Sequence, residues 1–145
     1  MSEPKKPNLP IGYWLKKADE LLTARINEAQ EANGLTRTGW QILNFLHETS
    51  TASGSQIIDV LKPFADADTL KATIDALARR GLVEEAGTQP GTLRLTDQGR
   101  ALHAAALDVQ MKVRRQAVQG ISEADYVTTV RVLQQMVANL GGEER

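Results

Sequence analysis

The sequence predicts a mainly α-helical protein with one short β-hairpin set between its fourth and fifth helices. Three observations carry this expectation. Apolar residues recur at intervals of three and four over most of the chain. The period shortens to strand-like runs only near residues 82–95, and Gly and Pro punctuate the joins. At 145 residues the chain fits one globular domain, residues 1–145, and 41% hydrophobic with 24% charged residues is ordinary for a folded protein.

The elements follow in order. Pro4, Pro7 and Pro10 make the first ten residues an extended arm, because proline fixes φ and removes a donor. From Ile11 a helical stripe of Trp14, Ala18, Leu21, Leu22, Ile26 and Ala29 runs to Asn33-Gly34, which suits a left-handed helix end. Thr36 is the expected N-cap of a second helix bearing Trp40, Leu43, Leu46 and His47 on one face. A polar break over 49–54 precedes a short helix at Ser55–Lys62, which Pro63 ends. Asp66 caps a helix with Leu70, Ile74 and Leu77 on its inner face, and Gly81 stops it. Leu82–Glu85 and Thr92–Leu95 form the hairpin. Thr96 or Asp97 then caps a long helix reaching Gln119, and Ser122 starts the last one, striped by Val130, Leu133, Met136, Val137 and Leu140.

A short helix and a longer one joined by a tight connection, with a hairpin beside them, read as a winged helix-turn-helix. The full expectation is a mainly α fold with a two-stranded β-hairpin wing, flanked by N- and C-terminal dimerisation helices. Residues 36–100 would form the DNA-binding lobe, and 1–35 with 101–145 the dimerisation helices. A two-fold dimer would set two recognition helices about 34 Å, one DNA turn, apart.

Composition excludes several classes. With no Cys there is no disulfide scaffold, thiolate catalysis or cysteine-ligated zinc, and two histidines make a poor metal set. No phosphate-cradling glycine loop, zinc-protease motif or nucleophile elbow is present, and Glu84 and Glu85 sit on opposite faces of a strand, so an enzyme is not expected. No cofactor is implied. No apolar run approaches a membrane span and the polar start lacks a signal-peptide core, so no membrane partner and a cytoplasmic location are expected.

Four segments carry a family resemblance over residues 9–140: Ile11-Gly-Tyr-Trp-Leu-Lys-Lys-Ala18, Gly34-Leu-Thr-Arg-Thr-Gly-Trp-Gln-Ile-Leu43, Asp75-Ala-Leu-Ala-Arg-Arg-Gly-Leu-Val83 and Leu93-Arg-Leu-Thr-Asp-Gln-Gly-Arg-Ala-Leu102. In order and spacing the chain resembles the MarR family of bacterial transcriptional regulators. The resemblance implies a homodimer on double-stranded DNA, usually a repressor, released in many relatives by a small phenolic or aromatic-acid effector. By that analogy Tyr13, Trp14, Trp40 and His47 would line an effector pocket, with core packing as the competing role for these few aromatics.

The DNA candidates are Lys71 and Arg94 as cations, Ser53, Ser55 and Thr69 as phosphate donors, Thr73 one turn beyond Thr69, and Thr88 and Gln89 at the wing tip. Ser55 serves equally as a helix cap. Arg79 and Arg80 are expected to interact with their own helix end or to pair with Glu84 or Asp75. The sequence also departs from the family pattern. Ala67 and Ala72 stand where relatives often carry arginine, Asp68 adds an acid, and the wing tip is uncharged. Residues 36–100 hold 7 basic and 8 acidic side chains, which predicts modest affinity and a shallow salt dependence. The alternative expectation is a diverged winged-helix protein that works mainly through protein contacts, with weak or no DNA binding.

Overall fold

The computed structural model describes residues 8–142, so Pro4 and Pro7 of the expected arm lie outside the described residues. Pro10 is the N-cap of α1 (Ile11–Ala29). That helix ends earlier than its sequence pattern: a 3-10 turn, Glu31–Asn33, intervenes before Gly34 takes up the left-handed conformation, φ 67°. Gln30 explains the early end. Its side chain is fully buried, donating to the Ala106 carbonyl at 2.9 Å and accepting from Asn33 Nδ2 at 2.8 Å, and its carbonyl accepts from both Asn33 and Leu35. Those bonds turn the chain where another helical turn would have carried it onward.

The remaining elements are α2 (Arg37–Thr49), β1 (Ala52–Ser53), α3 (Gly54–Leu61), α4 (Ala67–Arg79), β2 (Val83–Glu85), β3 (Thr92–Leu95), α5 (Asp97–Ala117) and α6 (Glu123–Asn139). The expected caps hold: Thr36, Asp66 and Ser122 each accept a backbone N–H three residues on. At α5 the cap is Thr96, whose hydroxyl accepts from Gly99 N at 2.9 Å and donates to the Gly81 carbonyl at 2.6 Å.

One expectation is extended and one corrected. The two-stranded hairpin wing is present as β2 and β3, and β1 widens it to a three-stranded antiparallel sheet in the order β1-β3-β2, because Ala52 and Ser53 pair with Leu93 and Thr92. Ala52 is buried there, which gives the polar stretch 49–54 one inward anchor. The short helix begins at Gly54, not Ser55. Ser53 is its cap, in a reciprocal capping box with Gln56 (Ser53 Oγ from Gln56 N at 3.1 Å, Ser53 N to Gln56 Oε1 at 2.8 Å).

Two compact units divide at Val113/Arg114, within α5. In the first, Ile42, Leu43, Leu46, Ile57 and Leu70 are essentially excluded from solvent, and Trp40, Leu77, Val83 and Leu95 close the same core. Full burial of one such side chain is worth about 1.5–3 kcal/mol, so this cluster is what fixes α4 against α2 and α3. Exposed apolar side chains line α1 in this unit, notably Ile11, Tyr13, Trp14 and Leu15. In the second unit, Arg114 lies over the Tyr126 ring at 4.6 Å, and Val127, Val130, Val132 and Val137 of α6 are exposed. Among the described residues no helix is long and apolar enough to cross a membrane, and no cluster of His, Asp and Glu has a metal-binding arrangement.

Candidate nucleic-acid interface

The lobe presents α4 on its surface. Leu70, Ile74 and Leu77 are buried, so with 100° per residue the outward ridge carries Asp68, Ala72, Asp75 and Arg79, with Lys71 on one flank and Thr69 and Thr73 on the other. The two flanks open into different grooves. One is a cleft of about 700 Å³ between α4, the start of α3 and the wing, lined by Ser53, Ser55, Lys71, Pro90 and Leu93 among others. The other, about 420 Å³, lies between α4 and the start of α2 and is lined by Thr36, Gly39, Thr69 and Thr73.

The sequence candidates therefore fall into three groups. Ser53, Ser55 and Lys71 come together at the first cleft. Lys71 and Ser55 are exposed and, among the described residues, make no hydrogen bond or ion pair, so both are available to an anion. Ser53 is committed to its capping box. Thr69 and Thr73 share the opposite flank, where the Thr73 hydroxyl donates to the Thr69 carbonyl at 2.8 Å. Thr88 and Gln89 are exposed at the wing tip, where Gly87 and Gly91 both take positive φ.

Arg94 is elsewhere. It stands opposite Glu84 in the β2–β3 register, and its Nε donates to Glu84 Oε2 at 3.0 Å. Alternation along β3 turns Leu93 into the first cleft and Arg94 away from it, beside Thr96 and Arg100. Arg94 is thus a half-exposed ion pair on the far face of the wing. Arg80 differs from expectation too: it pairs with neither Glu84 nor Asp75 but donates to the Gly34 and Asn33 carbonyls at 2.9 and 3.0 Å.

Of the aromatic candidates, Trp40 is buried and His47 exposed, and both stack on His103, at 5.1 and 4.0 Å between ring centroids. His103 is the member that sequence reasoning missed. It is 3% exposed, its Nε2 is hydrogen-bonded to Asn44 Oδ1 at 2.9 Å, and burial followed by the neighbouring His47 charge holds its pKa below the ordinary histidine value, with Glu48 opposing. The signal was its place on the apolar stripe of α5, three residues before the buried Ala106. Tyr13 and Trp14 pack edge to face with each other, 4.9 Å apart, on the exposed side of α1.

The fold is the one seen in solved MarR-family transcriptional regulators. Among solved structures the chain is similar to a protein from Pseudomonas aeruginosa described as a probable transcriptional regulator, with 29% identity over 87% of this chain and 96% of that one, at a TM-score of 0.74. BpsR of Bordetella bronchiseptica, whose DNA binding is regulated by 6-hydroxynicotinic acid, matches with 21% identity over 93% and 99% of the two chains at a TM-score of 0.76. A MarR-family regulator from Silicibacter pomeroyi gives 21% identity, 93% and 92% coverage, and the same TM-score. No family model and no curated protein matches the chain.

Proposed function

We propose that the chain is a homodimeric, sequence-specific DNA-binding transcriptional regulator, acting as a repressor and released by a small aromatic acid. The observation that carries this reading is the exposure of the α4 ridge beside a wing, with Lys71 and Ser55, unpaired among the described residues, at the cleft between them. That is the geometry by which a recognition helix enters the major groove while neighbouring groups hold phosphates. The exposed apolar faces of α1 and α6 support a second copy as partner. The regulation of BpsR by 6-hydroxynicotinic acid supports an aromatic-acid effector.

Fluorescence anisotropy with DNA from upstream of the chain's own gene, titrated across salt, tests the central claim. Sequence-dependent binding of modest affinity with a shallow salt slope is expected, and the slope counts the phosphates contacted. Sedimentation of the free protein should give a dimer. An effector should oppose DNA, and DNA should oppose the effector by the same factor, as linkage demands.

One observation favours a second reading, a winged-helix protein working through protein contacts. The outward ridge of α4 carries two carboxylates, and Glu84 neutralises Arg94. Binding no tighter than to random DNA at low salt would favour it.

A further inference from the structure

We infer that the recognition helix reads bases through the Asp68 carboxylate and the Ala72 methyl, selecting a cytosine beside a thymine in each half-site. This deepens the DNA-binding reading above and rests on it.

Asp68 suits the dipole of α4 as a first-turn acid, but it is not the helix's cap. The cap of α4 is Asp66, which accepts from Thr69 N at 2.8 Å, whereas Asp68 is exposed and makes no hydrogen bond or ion pair among the described residues. It lies in the first turn of the outward ridge, with Ala72 one turn further on. In a helix-turn-helix the N-terminal residues of the second helix meet the base edges, which selects Asp68 and Ala72 over Asp75 and Arg79 farther along.

The chemistry then narrows the bases. A carboxylate is an acceptor only. Guanine offers it two acceptors in the major groove, N7 and O6, and adenine's amino group is flanked by the acceptor N7. Cytosine N4 offers a donor with no such neighbour, and it is the base paired with Asp or Glu. The alanine methyl has one apolar partner in that groove, the thymine C5-methyl. With Ala67 in the first turn and Ala72 in the second, an arginine–guanine pair is unavailable from either position.

The test is selection from a random duplex library by the full-length protein and by Asp68→Asn. The wild type is expected to enrich a site with a fixed cytosine in each half. Asp68→Asn, nearly isosteric and checked to be folded by its thermal melt, should replace that cytosine with adenine, because an amide pairs bidentately with adenine N6 and N7. Replacing the neighbouring thymine with deoxyuridine should weaken wild-type binding about fourfold, the worth of one buried methyl, and Ala72→Gly should abolish that sensitivity. Identical selected sites for wild type and Asp68→Asn would overturn the inference while leaving DNA binding intact. Enrichment of no sequence by the folded wild type would overturn it together with the reading on which it rests.

Discussion

The imidazole of His103 lies nearly parallel to that of His47, with ring centroids 4.0 Å apart and 16° between their planes. One ring is buried on α5 and the other exposed on α2, so protonating both puts two positive charges in contact. Among the described residues, His47, Glu48, Asn44 and Trp40 of α2 face His103, and of these the Glu48 carboxylate favours its charged form.

The pH dependence follows in sign. The pKa of His103 is lower in the folded chain than in the unfolded one, so the unfolded state binds more protons between those two values. The stability linked to His103 is complete above about pH 6.5 and is lost as the pH falls through the folded-state value. Melting temperatures measured from pH 8 to pH 5 should therefore fall on the acid side. His103→Phe, which keeps a flat ring without a titrating group, should flatten that fall.

Phosphate contacts can be ranked by what already holds each cation. Lys71 has no partner among the described residues, so Lys71→Ala should weaken binding to all sequences alike and reduce the logarithmic salt slope by about 1. Arg94 is held by Glu84, so Arg94→Ala should change the slope by less. Glu84→Gln, which removes one carboxylate from the lobe, should raise affinity slightly at low salt. Anisotropy at four or five salt concentrations separates the three.

Gly99 is a packing requirement. A Cβ there would collide with the Leu82 carbonyl oxygen, which also accepts from Thr96 N at 3.1 Å. Gly99→Ala should cost about 1–3 kcal/mol, read from urea unfolding, despite alanine being the better helix former.

Arg37 joins three elements. Its Nη1 donates to Asp19 Oδ1 at 2.7 Å and Thr23 Oγ1 at 2.8 Å on α1, and its guanidinium lies 5.1 Å from the Phe64 ring centroid in the α3–α4 turn. Arg37→Ala should destabilise the first unit by about 1–2 kcal/mol. Arg37→Lys should recover only part of that, since an ammonium cannot present the same fork and flat face. Thermal melts of the two variants decide it.

The helices were legible because periodicity and capping are local: Thr36, Asp66 and Ser122 announce their helices within four residues. β1 was not, since a two-residue strand has no period and its partners, Thr92 and Leu93, lie some forty residues away. The same non-locality hid the partners of charged residues. Arg80 next to Gly81 reads as a helix-end cation, yet it bonds to carbonyls 46 and 47 residues back. Arg94 and Glu84 could have been paired from the hairpin register alone. For the site, Lys71 and Ser55 were readable as polar positions beside a core stripe. Their meeting at one cleft depends on how α3 and the wing pack.

The bonds from Arg80 to the 33–34 loop anchor α4 at its C-terminal end. From Arg80 to Asp68 the helix spans about 18 Å, so a tilt of roughly 5° about that anchor moves Asp68 by about 1.5 Å. That is enough to make or break a hydrogen bond at the outer end. The loop acts as a fulcrum: a slight rotation there is magnified along the rod, and the first turn feels it most.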